Sequence, residues 1–171
     1  MSEERVDKPR AREPFAIWMY VAVAVVILDQ VTKWAIVRHV PLYGRIEVLP
    51  FFNITHQQNE GAAFSFLADA SGWQRWFFIA LALGISSVIV VWLWRLKNAG
   101  QFVLSAGLAL VLGGAIGNVI DRIRVGHVVD FVQVLIGSWP FPSFNVADSA
   151  ITVGAALLIF DALFLSGRKS S

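Results

Sequence analysis

The stretch LVLGGAIGNVIDRIRVGHVVDFVQVLIGSWPFPSFNVADS, from Leu110 to Ser149, decides how this chain folds. It begins in one long apolar run, passes through a more polar segment and ends where another apolar run starts. Three aspartates, Asp121, Asp130 and Asp148, lie in it among glycines and valines. A carboxylate near a hydrocarbon boundary costs several kcal/mol unless it is paired, hydrogen-bonded or protonated, so these aspartates are candidates for function.

The composition of the whole chain predicts a membrane protein. Of the 171 residues, 57% are hydrophobic and only 15% are charged, and the mean hydropathy is +0.64. Such values are typical of a chain that crosses the membrane several times. The absence of cysteine excludes disulfides, thiol nucleophiles and thiolate metal sites. No basic and aromatic stripe supports binding to nucleic acid.

Four apolar runs are long enough to cross a hydrocarbon core of about 30 Å as helices. These predicted spans are residues 15–37, 73–96, 102–120 and 149–165. The first run also resembles a secretory signal peptide. It continues past Asp29 without a small-residue cleavage site, however, so we expect an uncleaved span.

The remaining segments complete the predicted organisation. Residues 38–72 alternate polar and apolar side chains in the manner of short strands, so we expect a small outer β-subdomain there. Residues 15–166 are expected to form one membrane domain, with charged tails at 1–14 and 167–171. The predicted fold class is therefore an all-α membrane protein with four transmembrane helices and a small outward-facing β-subdomain.

Positive charge predicts the orientation of the spans. Lys and Arg are dense in both tails and in the short loop after Arg95, and are spread thinly over the two long segments. Because cytoplasmic segments carry the excess of positive charge, both termini are expected in the cytoplasm. Six tryptophans lie near predicted span ends, where such rings prefer the headgroup layer: Trp18, Trp34, Trp73, Trp76, Trp92 and Trp94.

This orientation brings several polar groups to one face of the membrane. Asp130 lies in the second outer segment, and Asp148 opens the fourth span from the same side. The segment from Asn59 to Ser65 reaches that side too, as does the outer end of the third span at residues 118–122. We therefore expect Asp130 and Asp148 to share a depth and a face.

The third span carries two motifs. Four glycines, Gly107, Gly113, Gly114 and Gly117, form a small-residue face that lets helices approach closely in lipid. Next come three polar residues on one helical face, Asn118, Asp121 and Arg122. They fit either a capped, salt-bridged helix end or a trio that holds a neighbouring catalytic group in place.

Other polar residues have simpler interpretations. Asp29 and Lys33 are four apart on the first span, which predicts a local ion pair. The three histidines, His39, His56 and His127, have no metal-ligand spacing, so no metal site is predicted.

Asp130 and Asp148 each have a structural and a functional interpretation. Asp148 directly precedes an apolar run, where a helix cap is expected. Asp130 lies among β-branched and aromatic neighbours and fits poorly into either a strand or solvent. As a pair they suit hydrolysis, in which one ionised carboxylate takes a proton from water and the other donates to the attacked carbonyl. Because a helix dipole favours an ionised Asp148, we hypothesise that Asp148 is the base and Asp130 the acid.

The chain resembles the bacterial lipoprotein signal peptidases, or signal peptidase II, over nearly its whole length. Five blocks together carry the resemblance: Asp29-Gln30-x-x-Lys33, Asn59-x-Gly61-Ala62-Ala63-Phe64-Ser65, Gly117-Asn118-x-x-Asp121-Arg122, Val129-Asp130-Phe131 and Phe144-Asn145-x-Ala147-Asp148.

The resemblance implies a four-helix aspartic endopeptidase of the bacterial inner membrane, with its active site near the outer face and its β-subdomain on the lipid surface. Its substrates would be diacylglyceryl-modified prolipoproteins, cut on the amino side of the lipidated cysteine. The enzyme would be a monomer without a cofactor, in contact with membrane lipids and blocked by globomycin-type inhibitors.

The resemblance also implies roles for single residues. By position, Asp130 and Asp148 would be the catalytic dyad. Seven residues would bind the substrate backbone or support the dyad: Asn59, Gly61, Asn118, Asp121, Arg122, Asn145 and Asp29. The spacer 132–143 receives no role.

Two other functions remain open from the residues themselves. A proton-coupled transporter or channel subunit would use the same aspartates along a polar path, but such a path needs polar residues through the full depth of the membrane. Here they crowd the outer half, and Asp161 is the only carboxylate deep in the inner half. A purely structural scaffold would leave the outer aspartates unexplained.

Overall fold

The computed structural model describes residues 14–61, 72–97 and 99–165. The described part contains four helices long and apolar enough to cross a membrane, the last counted with a π-helical end. They are α1 (Phe15–His39), α2 (Trp73–Leu96), α3 (Phe102–Arg124) and α4 (Val146–Phe160), which continues as the π-helix Asp161–Leu165. The expected fold class is confirmed. Most of both predicted tails and the Ala62–Ser65 part of the second block lie outside the described residues.

Three helices extend beyond their predicted ends, at the side where the aspartates lie. α1 ends at His39 instead of residue 37. α3 runs to Arg124 instead of residue 120, because Asp121 is neutralised by an ion pair to another helix and does not have to leave the helix for solvent. α4 begins at Val146 instead of residue 149, because Asn145 caps it. Asp148 therefore lies inside the first turn of α4 rather than before it.

α3 is the central helix and packs against α1, α2 and α4. Its glycines make this possible. A Cβ at Gly114 would lie 2.4 Å from the carbonyl oxygen of Ala147 on α4, and one at Gly113 would lie 2.7 Å from that of Ala22 on α1. The predicted packing role of these glycines is confirmed.

One tryptophan departs from the expected headgroup position. Trp18 is buried among the helices and meets Phe102 edge-on, with ring centroids 5.2 Å apart. Its ring fills the space between α1 and the start of α3. Trp34 and Trp76, by contrast, are exposed to the surroundings of the helix bundle, as expected of rings at an interface.

The sheet is larger than predicted. It has four antiparallel strands in the order β1 (Arg45–Leu49), β2 (Phe52–Asn59), β3 (Val128–Ile136) and β4 (Trp139–Pro140). The first two lie in the segment predicted for the β-subdomain. The other two come from the second outer segment, which includes the spacer 132–143 that had received no role.

The pairing of β2 with β3 corrects the expectation that Asp130 suits no strand. Asp130 lies in β3 opposite Gln57, and its neighbours Val128 and Val129 are buried. The strand accepts an aspartate here because partners from β2 and α4 satisfy its carboxylate. The sheet therefore holds Asp130 against the ends of α3 and α4.

Candidate active site

Asp130 is almost fully buried, at 2% exposure. Its Oδ2 accepts a hydrogen bond from Asn59 Nδ2 at 2.9 Å, and its Oδ1 accepts one from Asn145 Nδ2 at 2.8 Å. Loss of water raises the pKa of Asp130 to about 6, with the charge of Asp148 adding to the rise and the two hydrogen bonds opposing it. Asp130 thus retains a proton to a higher pH than an ordinary aspartate.

Asp148 is held by the adjoining helix ends. Its Oδ1 accepts a hydrogen bond from Asn118 Nδ2 at 2.8 Å, and its Oδ2 accepts one from the backbone N–H of Asn145 at 3.3 Å. The backbone N–H of Asp148 donates in return to Asn145 Oδ1 at 2.8 Å. This reciprocal pair is a capping box in which Asn145 is the N-cap and Asp148 is the third residue of the helix, so Asp148 contributes to the cap without being the N-cap itself. Its Oδ1 is the oxygen that the capping box does not use.

Asn145 joins the two aspartates. Its side-chain amide donates to Asp130 and its backbone N–H donates to Asp148, although the three residues come from β3 and from the start of α4. Asn145 is fully buried, at 0% exposure, so its own donors are shielded from water. The two carboxyl groups that the sequence placed at one depth therefore meet around a single residue, and their charges interact.

A second layer of charge lies behind the pair. Lys33 Nζ is 2.8 Å from Asp29 Oδ2, 2.8 Å from Asp121 Oδ2 and 3.1 Å from Asn118 Oδ1. We call Lys33, Asp29, Asp121 and Asn118 the lysine cluster. The predicted ion pair between Asp29 and Lys33 is confirmed, but it is not only local, because Lys33 also reaches α3.

The polar face on α3 has contacts that fit both interpretations. Asn118 contacts Asp148, whereas Asp121 forms a salt bridge with Lys33 of α1. Asp121 Oδ2 also accepts a hydrogen bond from the backbone N–H of Val129, one residue before Asp130, at 3.1 Å. Asp121 thereby ties β3 to α3.

Asp29 ties α4 to α1. Its Oδ1 accepts a hydrogen bond from the backbone N–H of Ala147 at 3.0 Å. The approach depends on Gly117, where a Cβ would lie 2.7 Å from Asp29 Oδ2. Gln30 completes the contact by placing its Nε2 2.9 Å from Asp121 Oδ1 and 3.2 Å from the carbonyl oxygen of Gly117.

The remaining predicted site residues border the aspartate pair. Asn59 Oδ1 accepts a hydrogen bond from the backbone N–H of Gly61 at 2.9 Å, so one side chain connects Gly61 to Asp130. Gly61 has φ +100°, which favours glycine, and a Cβ there would lie 2.5 Å from the ring of Phe78. The Arg122 guanidinium lies 5.1 Å from the centre of the same ring, and its charge interacts with those of the two aspartates.

Sequence reasoning missed three contributors to this site. Lys33 was assigned only a local pair, while Gln30 and Phe78 received no role. For Lys33 and Gln30 the signal was present, since they are polar residues in an otherwise apolar run. Phe78 had none, because it is one aromatic residue among many in α2.

A metal has no evident place here. Among residues 14–61, 72–97 and 99–165, no group of three or more His, Asp or Glu side chains could hold a metal ion. The buried His56 is engaged elsewhere, with Nδ1 2.9 Å from the carbonyl oxygen of Val40.

Four helices long and apolar enough to span a membrane, with hydrogen-bonded carboxyl groups at one end, are the fold of a multi-pass membrane protein. Two solved structures described as bacterial membrane enzymes share this fold. One has a TM-score of 0.81 and 34% identity over 92% of this chain and 99% of that chain. The other has a TM-score of 0.78 and 35% identity over 94% and 96%.

The particular family is signal peptidase II, to which this chain belongs. The model of the signal peptidase (SPase) II family matches residues 21–164. The lipoprotein signal peptidase of Yersinia enterocolitica is 47% identical over 154 residues, which are 90% of each chain. That of Yersinia pestis strain Pestoides F is 52% identical over the same shares. The protein is accordingly a protease of the membrane, and the resemblance stated from its sequence is confirmed.

Proposed function

We propose that this signal peptidase is an aspartic endopeptidase that removes the signal peptide from diacylglyceryl-modified prolipoproteins, cutting on the amino side of the lipidated cysteine. Asp130 and Asp148 are the catalytic residues. The observation that carries this proposal is the bridging of the two carboxyl groups by Asn145, with the pKa of Asp130 raised to about 6.

The two aspartates divide the proton transfers in the proposed reaction. Ionised Asp148, at the N-terminus of α4, takes a proton from the attacking water. Protonated Asp130 donates its proton to the oxygen of the scissile carbonyl, which becomes the hydroxyl of a tetrahedral intermediate. Asp148 then gives the proton taken from water to the leaving nitrogen, Asp130 takes back a proton from the hydroxyl as the carbonyl re-forms, and the C–N bond breaks. The raised pKa of Asp130 supports its role as the acid.

Three asparagines keep the carboxyl groups in position: Asn59 donates to Asp130, Asn118 donates to Asp148, and Asn145 donates to both. Arg122 is suited to bind a substrate carbonyl. Its buried Nε has no hydrogen-bond partner within the described part of the chain, so it retains a donor beside the pair. Gly61 supports the Asn59 side chain from the other direction.

A site at the end of a helix bundle suits a substrate that is itself held in the membrane. The signal helix and the diacylglyceryl group would deliver the scissile bond to the level of Asp130 and Asp148. Asp130 and Asp148 would lie at the outer face of the inner membrane, with both termini cytoplasmic. The enzyme would act as a monomer. Globomycin-type inhibitors would compete for the same site.

The distribution of buried charge argues against a transporter. In the described part of the chain, the buried charged side chains other than Asp161 are gathered at one end of the bundle: Asp29, Lys33, Asp121 and Asp130. A continuous polar path through the bilayer would need such groups along its whole depth.

The test uses the purified full-length protein and a precursor with and without diacylglyceryl on its cysteine. Cleavage is followed by mass spectrometry for the wild type, Asp130→Asn, Asp148→Asn and the control Asp161→Asn. Asp161 is also a buried carboxylate, about 20 Å from Asp148 along the same helical axis. We expect a loss of about 10²- to 10⁴-fold for the first two variants and little change for the control.

Thermal unfolding of each variant separates lost chemistry from lost folding. Wild-type rates in folded Asp130→Asn or Asp148→Asn would overturn the aspartic mechanism. Equal cleavage of the unmodified precursor would overturn the requirement for lipid, and a cut elsewhere than before the cysteine would overturn the proposed cleavage position.

A further inference from the structure

Lys33 is too well connected to serve only as the counterion of Asp29. Its side chain is 4% exposed, and its ammonium group meets three oxygens, which matches its three N–H donors. Two of these oxygens belong to carboxylates. The third, Asn118 Oδ1, belongs to an amide whose other end donates to Asp148.

We propose that Lys33 is a positioning residue for the aspartate pair, which acts through Asn118 to keep an N–H donor directed at Asp148. The inference rests on the proposed function of that pair. Lys33 does not touch the reacting groups itself. Its effect passes through the Asn118 amide, whose two ends are chemically different.

The orientation of the Asn118 amide decides whether a hydrogen-bond donor or an acceptor faces the carboxylate of Asp148. With Oδ1 held by the Lys33 ammonium, Nδ2 lies 2.8 Å from Asp148 Oδ1 as a donor. If the amide rotated by half a turn, an oxygen would face the carboxylate instead and repel it. Asn145 Nδ2 also approaches Asn118 Oδ1, but at 3.3 Å and as a neutral donor. The charge-assisted bond from Lys33 is the stronger constraint.

Lys33 has a second, longer-range effect on Asp130. Its positive charge lowers the pKa of Asp130, against the larger rise from burial. The other charged groups that interact with Asp130 are Asp148 of α4, which raises that pKa, and Arg122 of α3. Removing the charge of Lys33 therefore moves the ionisation of Asp130 to higher pH. This shift is a signature that a loss of folded protein does not produce.

Charge balance must be separated from positioning, because Lys33→Met leaves Asp29 and Asp121 unneutralised. The double variant Lys33→Met/Asp121→Asn solves this problem. It removes one positive and one negative charge, so the lysine cluster keeps its native net charge while Asn118 loses its cationic donor. An asparagine at 121 retains an oxygen for the Val129 N–H.

The experiment measures the pH profiles of kcat and kcat/KM on the diacylglyceryl-modified precursor, per folded enzyme as determined by thermal unfolding. We expect kcat to fall about 10- to 100-fold in Lys33→Met, as for other residues that orient catalytic groups. The alkaline limb of kcat/KM should move to higher pH. In the double variant kcat should stay low, because Asn118 still lacks its cationic donor.

Two results would overturn the inference. Wild-type kcat in folded Lys33→Met would show that Asn118 needs no orienting cation. Recovery of kcat in the double variant, together with thermal stability, would show that Lys33 only balances charge. Asp130→Asn and Asp148→Asn are measured alongside. Their full activity would instead refute the proposed function, so the two failures are distinguishable.

Discussion

The substitution Gly114→Ala tests how closely the aspartate pair depends on the packing of α3 against α4. An added Cβ would lie 2.4 Å from the carbonyl oxygen of Ala147 and 2.7 Å from Ile151 Cγ1. Ordinary contact begins at 3.4 Å, so the two helices must separate locally by about 1 Å to accept one methyl group. The obstacle at Ala147 is backbone, which cannot rotate away.

This separation falls next to the proposed catalytic groups. Asn118 lies one turn after Gly114, and its 2.8 Å bond to Asp148 crosses the same interface. A misplacement of about 1 Å can cost about 10²-fold in rate, and overpacking a tight interface costs about 1–3 kcal/mol of stability. We therefore expect Gly114→Ala to lose about 10²-fold in kcat/KM while it still folds.

Two matched substitutions isolate the effect. Gly84→Ala adds the same methyl group on the exposed side of α2, where nothing lies within 4 Å, and should leave activity unchanged. Gly107→Ala strains the same interface two turns away, at 2.9 Å from the carbonyl oxygen of Gly154. It should lower the unfolding temperature with a smaller loss of rate. Wild-type kcat/KM in folded Gly114→Ala, or equal rate losses at residues 107 and 114, would refute the reasoning.

Three further predictions concern the proton on Asp130. Because the proposed acid has a pKa of about 6, kcat/KM should fall as the pH rises above that value, and a flat pH profile from about pH 5 to 8 would contradict its role. Asn59→Leu removes a donor that lowers the pKa of Asp130, so the fall of kcat/KM should move to higher pH. An unchanged pH profile would count against the contact between Asn59 and Asp130. Folding raises the pKa of Asp130 from 3.8 to about 6, so the stability that its proton contributes is present below about pH 4 and is lost as the pH rises through 6. Each pKa unit corresponds to about 1.4 kcal/mol, so the free energy of unfolding should fall by about 3 kcal/mol over this pH range. Denaturant unfolding at several pH values should show this fall in the wild type but not in Asp130→Asn.

The predicted helices and the observed ones differ mainly where charge is buried. The run from Trp73 to Leu96 has no charge in its middle, and hydropathy alone placed both of its ends correctly. The ends of α3 and α4 were misplaced because Asp121 and Asp148 looked like boundaries. Each is stabilised inside its helix by a partner elsewhere, Lys33 for Asp121 and Asn118 for Asp148. A local pattern contains no information on such partners.

The sheet, too, depends on partners that a local sequence pattern does not reveal. Alternation in residues 45–59 predicted strands, but β3 was not anticipated, because an aspartate between valine and phenylalanine is a weak strand signal. Pairing with β2 overrides that weak preference. Asp130 and Asp148 were predicted from charge placement and orientation, whereas site roles for Asn59, Gly61 and Asn145 followed only from the five separated blocks that resemble one family.

By itself, the sequence predicted four membrane-spanning helices, a common location for Asp130 and Asp148, and membership of the signal peptidase II family. The length of the apolar runs, the positions of the charged residues and the five family-like blocks are all properties of the linear sequence. Only the tertiary structure decided which groups touch: Asn59 lies 71 residues from its partner Asp130, and Lys33 lies 85 from Asn118. Such contacts depend on close approach of backbones at glycines and on strand register, and therefore arise only when the whole bundle is assembled.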